Sequence, residues 1–125
     1  MATITPVRVN PQTLDPSFWD EAALKVIRPL TLWLWETMGD ADTGLAVPIP
    51  SGMYPTIQAI GTFGGATVTA EGSLDGTTWF TGHDDQANAS TFTSAGGKLF
   101  APYCWQVRVI TSGGSGTDVD VYLAY

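Results

Sequence analysis

Apolar and polar positions alternate with a period of two along much of the chain. Between Ala66 and Ser73, Ala66, Val68, Ala70 and Gly72 point one way and Thr67, Thr69, Glu71 and Ser73 the other. That is the pattern of a strand with one buried and one wet face. Gly64-Gly65 stands before it, where a reversal needs φ > 0, and Leu74-Asp75-Gly76 offers turn chemistry after it. The stretch from Gly61 to Phe80 therefore reads as strand, glycine turn, strand, tight turn and a third strand that carries Trp79 as an apolar anchor. Leu30 to Met38 predicts another strand, with Leu30, Leu32 and Leu34 on one side and Trp33 and Trp35 on the other. Both of its faces are apolar, so it is covered twice inside the fold or meets a partner with one face. Ile57, Ala59, Gly61 and Phe63 form a further strand face. Thr91–Thr93, Lys98–Ala101, Trp105–Thr111 and Asp118–Tyr125 complete the set, with Ser112–Thr117 closing a last hairpin. About seven to eight short strands at this spacing predict an all-β chain, an antiparallel β-sandwich or jelly-roll-like domain over residues 29–125.

Residues 1–28 are patterned differently. Pro6, Pro11 and Pro16 each remove a backbone donor, so Met1 to Leu14 reads as an extended arm. From Asp15 to Ile27 the sequence predicts one short helix. Asp15 or Ser17 caps it, Pro16 suits its first turn, Phe18, Ala22 and Val26 line a face, and Pro29 ends it.

Charge narrows the function classes. Charged residues make up 14% of the chain, well below the roughly 25% usual in soluble domains, and the net charge is −7. The 5 Lys and Arg residues are scattered, with no basic stripe to neutralise phosphates or anionic lipid, so neither nucleic acid nor membrane is expected as a partner. A surface of small, weakly polar residues suits contact with another protein. Cys104 is the single cysteine, which leaves no internal disulfide and no thiolate cluster. Met1–Pro6 lacks the features of a signal peptide, and the apolar run Leu30–Trp35 is far shorter than the ~20 residues of a membrane span. The expectation is synthesis in a cytoplasm.

Candidate chemistry is sparse. His83 beside Asp84 and Asp85 could hold a metal or move a proton, but no second catalytic pattern accompanies it, and a solvated loop accounts for the trio. Asp40 with Asp42, and Asp118 with Asp120, alternate as calcium ligands could, without the glycine and distal glutamate of an EF-hand loop. Gly61, Gly64 and Gly65 precede no helix, so turn geometry rather than phosphate binding explains them. Cys104, in Pro102-Tyr103-Cys104-Trp105, is expected buried. Trp19, Trp33, Trp35, Trp79 and Trp105 could stack sugars, although core and interface anchoring is the commoner use of Trp. No enzyme activity, cofactor or metal is expected.

The run GTFGGATVTAEGSLDGTTWF, together with Trp35, Gly39-Asp40 and Thr43-Gly44 before it and Val107-Arg108-Val109 and Gly113-Gly114-Ser115-Gly116-Thr117 after it, resembles a family of small tailed-bacteriophage virion proteins. The likeness covers Trp35 to Leu123 and leaves out Met1 to Ile27. Asp85-Gln86-Ala87-Asn88 departs from it, with Ala87 where the pattern has glycine. The resemblance implies a β-sandwich on the virion: a head decoration or cement protein, often trimeric, that bridges neighbouring major capsid proteins. A neck or tail module is the alternative position. Phe18, Trp19, Leu24, Trp33 and Trp35 are then the expected contact anchors. The segment from Gly72 to Trp79 is also similar to a hairpin of discoidin-like sugar-binding domains, which keeps a glycan-binding module for host adsorption as the rival function.

Overall fold

The computed structural model describes residues 2–9 and 31–125. The predicted helix, with Phe18, Trp19 and Leu24, lies outside the described residues. The strands are β1 (Thr3–Ile4), β2 (Val7–Val9), β3 (Leu32–Met38), β4 (Thr43–Gly44), β5 (Val47–Pro48), β6 (Thr56–Thr62), β7 (Thr67–Ser73), β8 (Phe80–Thr81), β9 (Thr91–Phe92), β10 (Gly96–Leu99), β11 (Gln106–Ser112) and β12 (Asp118–Ala124). They form two sheets. One runs β1-β4-β11-β7-β8, with β5 also on β11 and β9 also on β7, and the other runs β10-β6-β12-β3-β2. Pairing is antiparallel except between β1 and β4.

The alternation predicted for β7, β11 and β12 places the core. Val68 and Ala70, Val107 and Val109, and Val119, Val121 and Leu123 are buried between the sheets, with Ile57, Ala59, Trp35, Met38 and Phe100. Burying each of the larger aliphatic side chains stabilises the fold by about 1.5–3 kcal/mol. The outcome is a β-sandwich-like all-β domain. Its strand order does not establish a jelly roll.

Three expectations change. The Gly64-Gly65 turn is not a hairpin, because β6 and β7 belong to different sheets. The Ser112–Thr117 turn does not close a hairpin either, since it carries the chain from β11 in one sheet to β12 in the other. These two crossings lie against each other: Ser115 N–H donates to Gly64 O at 2.9 Å, and Thr117 Oγ1 donates to Phe63 O at 2.9 Å. Alternation reports which residues face the core but not which sheet a strand joins, so a crossing reads like a hairpin. The third change concerns the N-terminus. Residues 2–9 are built into the sandwich, with β1 at one end of the first sheet and β2 at one end of the second.

In β3 the alternation breaks. Val121 stands opposite Trp35 and Val119 opposite Met38, so Glu36 and Thr37 together face Asp120 in a β-bulge. Thr37 takes φ 54°, and its N–H donates to Asp120 Oδ1 at 2.8 Å. The extra residue returns Met38 to the core on the Trp35 side, whereas strict alternation would place it with Leu34.

Candidate functional site

The polar loop residues fold back on their own backbone. Asp84 Oδ1 accepts the N–H groups of Gln86 and Asn88, each at 2.9 Å, while Asn88 Nδ2 reaches Asp84 Oδ2 at 3.2 Å. These bonds, the Asn88 N–H foremost, hold the Asp84 carboxyl below its ordinary value. His83 Nδ1 lies 2.8 Å from the Asp84 carbonyl. His83 and Asp84 therefore fix the shape of a loop. Ala87 in this loop has φ 65°.

Asp42, Asp40 and Asp120 behave alike. Asp42 is buried and accepts Gly39 N–H at 2.6 Å and Ala2 N–H at 3.0 Å. Its own N–H donates to Thr111 Oγ1 at 2.7 Å, and that hydroxyl donates to Gly39 O at 2.7 Å. Asp40 accepts Thr117 N–H at 3.0 Å, and bonds from Thr117 lower its pKa. Asp120 is the acceptor in the bulge. Among the described residues, no cluster of three or more His, Cys, Asp or Glu side chains is arranged to hold a metal ion. Cys104 packs against the core, and burial pushes its thiol up.

The described basic side chains, Arg8, Lys98 and Arg108, are engaged too. Arg8 lies over the Trp33 ring at 5.2 Å and Lys98 over the Phe92 ring at 5.2 Å. Arg108 lies over Trp79 at 4.3 Å and pairs with Glu71 at 2.9 Å. Lys98 Nζ also donates to Thr91 O at 2.6 Å.

Among the described residues, two features of the surface stand out. Across the outer face of the first sheet, Thr3, Thr43, Ile110, Thr69 and Thr91 stand in register over β1, β4, β11, β7 and β9. Ser112 with Thr67, and the Arg108–Glu71 pair with Thr81, form the rows beside them. The second is a set of exposed rings. Tyr54 and Tyr103 meet edge to face at 5.7 Å, and Trp105 follows two residues after Tyr103. Tyr54, Tyr103 and Trp105 are 48%, 61% and 54% exposed.

Of the expected anchors, Trp35 is fully buried, and its indole N–H donates to Leu45 O at 2.9 Å. It belongs to the core and can contact no partner. Trp33 is half-buried, packs against the core beneath Arg8, and has its indole nitrogen 3.4 Å from Tyr125 Oη. Leu32 and Leu34 stand on the opposite, outer face, in register with Val9 and Val7. Sequence reasoning missed Tyr54 and Tyr103. The segment Tyr103-Cys104-Trp105 lies outside any strand, so no alternation signals that its two rings are exposed. None of three comparisons, with family models, with curated proteins and with solved structures, finds a match to this chain.

Proposed function

We propose that this protein is a structural component of a tailed-bacteriophage virion, a head decoration or cement protein that bridges neighbouring major capsid proteins and is itself trimeric. The observation that carries the proposal is the outer face of the β1-β4-β11-β7-β8 sheet, where Thr3, Thr43, Ile110, Thr69 and Thr91 line up across five strands with one internally paired Arg108–Glu71 bridge. Such a face combines methyl groups with short hydroxyls and is easily desolvated, which favours a broad contact with another protein. Contact over roughly 1,000 Å² or more suffices for a stable complex, and repetition over a lattice multiplies its effect. The phage family resemblance supplies the particle on which such a contact would form.

The test is particle occupancy. Purified virions are expected to contain this chain, with its density on the head. The variant Thr69→Arg, which sets a charge in the middle of the row, is expected to lower occupancy about tenfold or more while leaving the melting temperature unchanged. Absence of the chain from purified particles overturns the proposal. Sedimentation of the free protein tests the trimer. A glycan-binding module is the second reading, favoured by the exposure of Tyr54, Tyr103 and Trp105.

A further inference from the structure

We propose that Tyr54, Tyr103 and Trp105 form a docking patch for a protein partner that presents a lysine or arginine side chain to the rings. The patch is assembled by three chain segments. Ile49 N–H donates to Trp105 O at 2.9 Å and Trp105 N–H donates to Ser73 O at 3.0 Å, which ties the 49–55 loop and the β7–β8 turn to the 101–105 segment. A side chain at Gly76 would meet the Trp105 ring at 3.2 Å, so the turn presses directly against it. Leu74, 71% exposed, lies on the same turn. Three rings about half exposed amount to an open aromatic surface on the order of 300 Å², the size at which exposed patches mark contact sites.

Charge decides what the patch takes. The chain carries −7, and each described cation already lies over another ring: Arg8 on Trp33, Lys98 on Phe92 and Arg108 on Trp79. None of these cations sits over the exposed rings. Aromatic faces attract cations through their negative quadrupole, and Tyr54 and Tyr103, at an interplanar angle of 89°, set a face and an edge at right angles. A negatively charged molecule that repels acidic partners and offers bare rings is complementary to a basic one. A sugar is the competing occupant that the test separates; Asp75 Oδ1, on the turn beside the patch, is closed to it, being taken by Ser73 Oγ, Thr77 N–H and Thr78 N–H at 3.0, 2.9 and 2.7 Å.

This inference deepens the virion proposal by naming where a partner would anchor. Its test reads the patch itself rather than particle occupancy, so the two proposals fail separately. The full chain is titrated, by NMR, with a capped peptide that places one arginine between leucines. The controls are the same peptide with glutamate for arginine, and maltotriose. The arginine peptide is expected to shift the Trp105 indole and Tyr103 ring signals with an affinity at least about fivefold above that of the glutamate peptide. The double variant Tyr103→Ala, Trp105→Ala is expected to lose that response and keep its melting temperature. If the double variant unfolds, the single variant Tyr103→Ala, judged by the Trp105 indole signal, takes its place. Equal response to both peptides, response to maltotriose alone, or no response overturns the proposal.

Discussion

Thr37 and Ala87 hold backbone conformations that glycine adopts freely, at φ 54° and 65°. A β-branched residue there is strained by about 1–3 kcal/mol, and the gain from relieving it exceeds the roughly 0.5–1 kcal/mol of chain entropy that glycine adds to the unfolded state. Thr37→Gly is therefore expected to stabilise the fold by about 1 kcal/mol in urea unfolding, and Ala87→Gly by somewhat less. A loss of stability in either would show that the native side chain supplies a contact worth more than the strain. Thr37 was not legible, because a bulge is written in the pairing of two strands rather than in one strand's alternation. The same limit explains Trp35: its ring and that of Trp33 share a face, but only the arrangement of the whole sandwich buries one fully and leaves the other at the rim.

At the scale of elements, the long alternating strands were readable and the two-residue ones were not. β4 falls within the expected Gly39–Gly44 loop and β5 within the proline-rich link, because two residues carry no period. The turn glycines were recognised, though for the wrong connection. Gly64 and Gly65 test the crossing directly. Both have positive φ, 59° and 83°, but a Cβ on Gly64 would run into the Ser115 carbonyl, while one on Gly65 meets nothing within 4 Å. Gly65→Ala is expected to cost about 1 kcal/mol from conformation alone. Gly64→Ala should cost about 2–3 kcal/mol or more, since the neighbouring crossing has to move as well. Equal losses, measured by chemical denaturation, would mean that the two crossings do not press on each other in solution.

For the molecule as a whole, the low charge was plain in the sequence, whereas the grouping of Tyr54 with Tyr103 needed the fold. The carboxylates set the response to acid. Asp40, Asp75 and Asp84 all have folded pKa values below the ordinary 3.8, through hydrogen bonds from Thr117, from Thr78, Thr77 and Ser73, and from Asn88 and Gln86 respectively. As pH falls through the ordinary value, the unfolded chain takes up protons before the folded one does. The stability these groups contribute is thus present above about pH 4 and drains away below it. The melting temperature is expected to be flat from pH 7 to pH 5 on their account and to fall from pH 4 downward, less steeply in Asp75→Asn. An Asp75→Asn profile that matches the parent's throughout would remove that turn from the explanation.

The placement of β12 has a consequence for how the molecule comes into being. It lies between β6 and β3 and follows both in the chain. A growing polypeptide that has already emerged through β11 therefore holds two strands with a vacant lane between them, their backbone amides and carbonyls unmatched. Val119, Val121 and Leu123 then fill that lane and join the core in a single event. Assembly is expected to be late and abrupt, and a nascent chain cut before Asp118 should be captured by chaperones or proteases rather than persist as a partly formed domain.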